Sequence, residues 1–373
     1  MADLHGQYLK IKHEIDEEIF KVIESTQFIN GQQVKEFQKE LETYLGVKHV
    51  IPCANGTDAL QVAMMALGLK EGDEVITSDF TFIATVEVIA LLGLKPVLVD
   101  VDPGTFLINP ESLKKAITNK TRAIVPVHLF GQSCNMEEIQ KIAAKYQLYV
   151  IEDTAQALGA DYYFSNGKKQ KVGTIGEIGC TSFFPSKNLG CFGDGGAIFT
   201  NDVSLAEKVR SIVNHGMRVR YYHDNVGINS RLDTLQAAIL KVKLKYLDQY
   251  NQSRIKAAEY YDRAFRNHPY ISTPERVSFS NHIFHQYTLV IRNIDRNKLR
   301  TLLEEKGIPS MIYYPVPLHL QKAYLDPRYN EGDFPVTEEL CKSVLSLPMH
   351  TELDESQLKY IVDNLLEIVD SIN

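Results

Sequence analysis

The sequence lacks the marks of several protein classes. Its 373 residues hold five cysteines (Cys53, Cys134, Cys180, Cys191, Cys341), odd in number, scattered and never spaced as CxxC. That argues against a disulfide framework and against a zinc site, and predicts reduced thiols and no metal. No apolar run approaches the roughly 20 residues that span a bilayer; the longest, such as IALLGLKPVLV, are cut short by Gly and Pro. The N-terminal MADLHGQYLKIKHEIDEEI is charged and helix-patterned, without the apolar stretch and small-residue cleavage site of a secretory leader. A cytoplasmic protein without a membrane partner is expected. Internal repeats, low-complexity tracts and long charge blocks are also missing. The formal net charge is −7, which disfavours a nucleic-acid partner, because neutralising many phosphates takes a basic excess.

What is there suits one large domain and a smaller one. With 44% hydrophobic residues the chain can bury a sizeable core. Between about residues 48 and 200, short apolar runs alternate with helical patterns: HVIPCA, DEVIT, KPVLVDV, RAIVPV, LYVIED, GCTSFF and GGAIFT. Such alternation predicts an α/β fold with a mostly parallel central sheet. Several runs are apolar at nearly every position, as strands covered on both faces must be, so a three-layer sandwich is expected. A long helical pattern over about residues 231–266 then leads to a smaller α+β domain, with HQYTLVIR as a strand and DRNKLRTLLEEKG and ESQLKYIVDNLLEIVDSI as helices. The expected division is 1–245, including an N-terminal helical segment, and 246–373.

In sheets of this kind ligands sit at the carboxyl ends of the strands, and three polar features stand there. LYVIEDTAQ ends in Glu152 and Asp153, with Gln156 three residues on; Asp153 either faces the crevice or caps a following helix. In CTSFFPSKNLGCFGDGGAIFT, Lys187 lies between two apolar runs, after Pro185 and before Gly190, Gly193, Gly195 and Gly196, which let the backbone turn and approach a ligand. Most lysines are solvated surface charges. One in a partly desolvated crevice has a lowered pKa, and its neutral amine attacks an aldehyde to form a Schiff base. CANGTDALQ opens a helix at Gly56 and Thr57, a phosphate site in physical terms or an ordinary turn and cap. Ser182 offers a second hydroxyl. A Schiff-base lysine, a carboxylate for a ring nitrogen and a phosphate cradle together point to pyridoxal phosphate. Phe82, after DEVIT, is placed to stack on the ring or to pack in the core.

These motifs, together with the start DLHGQYLKIKHEI, GDEVIT-DFTFIAT, VIEDTAQALGA, NSRLDTLQAAIL and YYPVPLHLQ, run in order along nearly the whole chain. In them the sequence resembles the DegT/DnrJ/EryC1/StrS sugar aminotransferases. The resemblance implies the type I aspartate-aminotransferase fold, with Lys187 carrying the cofactor, Asp153 on the pyridinium nitrogen, Gln156 near O3′, Gly56, Thr57 and Ser182 on the phosphate, and Phe82 on the ring. It also implies a homodimer with shared active sites, in which the stretch NHGMRVRYYHDNVGINSRLD crosses between subunits and Asn229 reaches the partner's phosphate. That stretch gathers Arg218, Arg220, Arg231, His215 and His223, which suits a nucleotide diphosphate and a donor carboxylate or else forms a solvated polar loop.

A related branch replaces the lysine by histidine and removes a hydroxyl group; here the lysine stands, so aminotransfer from glutamate is implied. NGTDALQ and NSRLDTLQAAIL are most similar to the UDP-2-acetamido-2-deoxy-ribo-hexuluronate aminotransferases of O-antigen precursor synthesis, which act at C3 of a keto uronic acid. Arg231, Tyr313 and His319 are then the expected substrate contacts, Arg231 pairing with the sugar carboxylate. Tyr313 departs from that subgroup, which has a histidine before the YPVP run. Enzymes making 3- or 4-amino-6-deoxy sugars, and a cofactor-binding sensor without turnover, are the alternatives.

Overall fold

The computed structural model describes residues 2–372. All seven apolar runs form strands: β1 His49–Cys53, β2 Glu74–Ser78, β3 Lys95–Val99, β4 Thr121–Val125, β5 Tyr149–Asp153, β6 Ile178–Ser182 and β7 Gly196–Thr200. They build one sheet in the order β1-β7-β6-β5-β4-β2-β3. Only β7 runs against its neighbours; the other pairs are parallel.

Strand side chains alternate between faces, and both faces are covered. Val75, Ala123, Val125 and Ile151 pack with Ala59, Leu60 and Ala63 of helix α1 (Gly56–Leu67) and with Val209. Their neighbours Ile76, Ile124 and Val150 pack on the other side with Leu113, Ile139 and Ile142. This is the three-layer arrangement expected from runs too apolar to leave a face wet. No helix is long and apolar enough to cross a membrane among the described residues.

The long helical pattern divides into two helices, α2 Thr234–Leu244 and α3 Leu247–Ala264. The ladder tightens at the junction, where Lys245 N donates to Val242 O (3.3 Å) and Tyr246 N to Lys243 O (3.0 Å), three residues back instead of four. Periodicity passes through such a break because it rotates the apolar stripe little. Beyond it, β8 Ile271–Ser272, β9 Tyr287–Ile291 and β10 Val344–Leu347 form a small antiparallel sheet. Leu289 and Leu345 of this sheet share a core with Leu299 and Leu365 of two helices. Strand β10 is four residues long and follows a helix directly, so it leaves no separate signal in the sequence.

One glycine ties the sheet to the loop before β6. A Cβ on Gly179 would lie 1.9 Å from the carbonyl oxygen of Gly173, a contact that only backbone movement relieves. Gly179→Ala is expected to cost about 1–3 kcal/mol, the range for overpacking. Denaturant unfolding of the two proteins checks this, and coincident midpoints would show that the loop yields freely.

Candidate active site

The site grows from the end of β5. Glu152 is fully buried, and its carboxylate accepts from the amides of Ile175 (2.6 Å), Gly176 (2.6 Å) and Gly173 (2.8 Å). His128 completes the set at 3.0 Å. Because His128 Nδ1 accepts from Cys134 N at 3.1 Å, its Nε2 carries the hydrogen and donates to Glu152. Asp153, next along the strand, points the other way. Its Oδ1 accepts from Ala155 N (3.1 Å) and its Oδ2 from the Thr85 hydroxyl (3.0 Å). A turn rather than a helix follows β5, so Asp153 does not serve as a helix cap. Burial pushes its pKa up, against the pull of Ala155 N, Thr85 and Lys187. A buried carboxylate with acceptor capacity left over is suited to a cationic N–H donor.

Lys187 enters the same cavity from the loop between β6 and β7. The loop doubles back tightly: Lys187 N donates to Phe184 O at 2.8 Å, and a Cβ on Gly190 would sit 2.3 Å from Pro185 O. Burial lowers the Lys187 amine to about 8, with Asp153 opposing. At neutral pH a useful fraction is therefore the free nucleophile.

The N-terminus of α1 closes a third side. Asn55 caps the helix by accepting from Asp58 N at 2.8 Å, while the amides at Gly56 and Thr57 fall in the first turn and have no intrahelical acceptor. A Cβ on Gly56 would lie 2.6 Å from Ser182 Cβ, and one on Gly196 would lie 2.4 Å from the Asn55 carbonyl carbon. Bare backbone, a hydroxyl and a helix N-terminus thus form a cradle that fits a phosphate.

The cavity measures about 480 Å³, within the range of small-molecule sites. It brings together Gly56, Thr57, Phe82, Asp153, Gln156, Ser182, Lys187 and Tyr313. Phe82 is 54% exposed, so it faces the cavity and does not pack in the core. Gln156 is held from both ends, its Oε1 accepting from Phe130 N (2.7 Å) and its Nε2 donating to the Tyr314 hydroxyl (3.1 Å).

Two expected substrate contacts, Arg231 and His319, do not line it, nor does Asn229, expected at the partner's phosphate. His319 is turned away and buried, with Nδ1 2.6 Å from Asp79 Oδ2 and Nε2 3.4 Å from Glu338 Oε1. Its backbone amide also donates to Asp79 (2.8 Å). The sequence shows a histidine near tyrosines but not the carboxylates that draw it inward. Conversely, Thr81, His285, Gln286 and Tyr314 line the cavity unforeseen. Tyr314, adjacent to the predicted Tyr313, was within reach of the sequence; His285 lies far along the chain and carries no local signal.

Residues 9–366 match the DegT/DnrJ/EryC1/StrS aminotransferase family. The chain belongs to that family. It is an aminotransferase, and the cavity has the parts that pyridoxal phosphate requires. The chain is 48% identical to a pleiotropic regulatory protein of Geobacillus stearothermophilus, over 98% of this chain and 97% of the relative. It is 45% identical to a UDP-2-acetamido-2-deoxy-3-oxo-D-glucuronate aminotransferase of Pseudomonas aeruginosa, over 96% and 97%. Among solved structures, that of NtdA from Bacillus subtilis with bound cofactor PMP is 33% identical, covering 97% of this chain and 82% of that one, with a TM-score of 0.88.

Lys187→Ala is expected to abolish the visible absorbance that pyridoxal phosphate gives on binding. In the native protein the rate of cofactor capture should rise with pH and level off above about 8, where the lysine loses its proton. A capture rate still climbing between pH 9 and 10.5 would place the amine at its ordinary value. Stopped-flow absorbance across that range gives the answer.

Proposed function

We propose that the protein transfers an amino group from glutamate, by way of pyridoxal phosphate, to the keto group of a sugar carried on a nucleotide. The substrate best supported is UDP-2-acetamido-2-deoxy-3-keto-hexuluronate, aminated at C3. The observation that carries the chemistry is the meeting of Lys187, Asp153 and the α1 N-terminus in one cavity. The support for the sugar is the Pseudomonas aeruginosa relative, similar over nearly its whole length.

Bound here, the cofactor supplies an aldehyde for Lys187 and a ring that withdraws electrons from the carbon bearing the amine. The remaining work falls to the chain. Asp153 would keep a proton on the ring nitrogen, the form in which the ring withdraws electrons best. Lys187 Nζ, freed when the substrate amine takes its place, would take the proton from the amine-bearing carbon and deliver it to the cofactor C4′. Gly56, Thr57 and Ser182 would hold the phosphate, Phe82 would cover the ring, and Gln156, clamped between Phe130 and Tyr314, would lie beside the ring hydroxyl. Tyr313 faces the sugar.

The cavity lining of one chain holds Lys187 as its sole lysine or arginine, against the carboxylates of Asp153 and Asp194, among the described residues. A diphosphate and a carboxylate need more positive charge. A homodimer with shared sites supplies it. The hairpin Met217–His223 is exposed, with Tyr221 75%, Tyr222 71% and nearby Val226 86% accessible, apolar surface of the kind a partner covers. It carries Arg218 and Arg220, and the chain leads on to Asn229 and Arg231, with which the second subunit completes the site. A large domain to residue 245, a small one from 246, a cytoplasmic location and a role in O-antigen precursors belong to the same proposal.

The test mixes cofactor-loaded enzyme with aminated nucleotide sugars and follows loss of the visible absorbance. Discharge by the UDP-3-amino uronate, reduced at least about tenfold by Arg231→Ala as expected for loss of a charge-assisted pair, supports the assignment. Discharge by neutral 6-deoxy amino sugars alone assigns the enzyme to them and removes the carboxylate role from Arg231. A loaded protein that no amino sugar discharges is a sensor.

A further inference from the structure

The loop that carries Lys187 is gripped at every second residue by side chains from α2 and α3. Asn188 Nδ2 donates to Asn251 Oδ1 at 2.7 Å, Gly190 O accepts from Lys243 Nζ at 2.6 Å, and Phe192 N donates to Gln236 Oε1 at 2.8 Å. The order is antiparallel: as the loop advances, the partner steps back along the helices by about two turns, the repeat that keeps side chains on one face.

This is a costly way to pack a helix. Lys243 is 2% exposed and Asn251 4%. Lys243 Nζ donates to the Gly190 carbonyl and stands 5.6 Å from the centroid of the Phe192 ring in the same loop, and among the described residues it has no ion pair within 4.0 Å. A leucine or methionine at either place would bury apolar surface without desolvating a polar end. Gly190 also lies close against the start of its own loop, since any Cβ there would sit 2.3 Å from Pro185 O. Residues spent against stability are residues spent on position.

We infer that Lys243, with Asn251 and Gln236, is a positioning residue for the aminotransfer reaction: by holding the loop through its alternate residues it sets the reach of Lys187 Nζ into the cavity. The inference rests on Lys187 being the cofactor lysine, as proposed above. Misplacing a reacting group by about 1 Å costs on the order of a hundredfold in rate, so a loop free to shift by a fraction of that should lose about tenfold.

Two variants separate position from packing. Lys243→Met keeps the apolar stem and removes the donor, whereas Lys243→Gln keeps a donor. In Lys243→Met, kcat should fall at least about tenfold with KM for the amino sugar unchanged. The pH at which the bound cofactor's absorbance changes should also move. Lys243→Gln should recover most of both. If Lys243→Met does not accumulate as folded protein, Asn251→Leu takes its place, with the same loss in kcat and the same shift expected. A folded Lys243→Met, or Asn251→Leu in its stead, with native kcat and native absorbance titration overturns the inference and leaves these side chains as filling. Wild-type protein that never yellows with pyridoxal phosphate overturns the functional proposal and this one with it. Wild type that yellows beside an indistinguishable Lys243→Met overturns this one alone.

Discussion

The last two residues of β5 face opposite ways, and the site depends on that alternation. Glu152 turns into the protein, where three amides and the Nε2 hydrogen of His128 satisfy it; Asp153 turns into the cavity with two donors. A buried network in which every member is satisfied is rigid, because any displacement strands a polar group away from water. Glu152 thereby locks the loop at residues 173–176 to the strand end, and Asp153 inherits a fixed direction from its neighbour. The incompletely paired carboxylate is the one exposed to ligand, and this asymmetry is what makes it a site rather than a structural clamp.

The second constraint is how closely backbones approach. Gly196 pairs with Cys53 on one side and with Ser182 on the other, so the single antiparallel strand is what brings the α1 N-terminus beside the end of β6. The approach is possible because Gly196 and Gly56 have no side chains; a methyl group at either would meet Asn55 or Ser182 well inside contact distance. Sheet order and glycine placement are thus one device: the topology sets the two loops side by side, and the missing Cβ atoms leave amides bare where a phosphate would lie.

Much of this was legible in the sequence because the signals are local. Short apolar runs such as KPVLV and RAIVP, alternating with helical patterns, read as doubly covered strands, and the polar residues that end LYVIED and precede the glycines of KNLGCFGDGG mark the crevice. What escaped lies in contacts between distant segments. Tyr314 reaches Gln156, and His285 joins the cavity, from the far end of the chain. His319 looked like a ligand contact by its place in YYPVPLHLQ, yet Asp79 draws it into the interior. A histidine's direction is set by its partners, and here the partner is 240 positions away. The break between α2 and α3 escaped for another reason, since a few tightened hydrogen bonds leave the apolar period intact.

Legibility also divides by task. The groups placed for the cofactor sit on strand ends and glycine turns, where backbone geometry dictates residue type and leaves a pattern. The groups proposed for the sugar and nucleotide, Arg231 and the Met217–His223 hairpin, sit where one chain leaves them outside its own cavity. In the proposed dimer their geometry depends on a second surface, which no spacing in a single sequence encodes. The same split has a physical use. A floor held rigid by buried polar contacts keeps the reacting atoms in register whatever enters, while the mouth proposed to be built from arginines and aromatics of the hairpin could vary without disturbing that floor. Similarity across nearly the whole chain both to a pleiotropic regulatory protein and to a sugar aminotransferase is what such a division would produce, which is why the floor identifies the chemistry and the mouth decides the substrate.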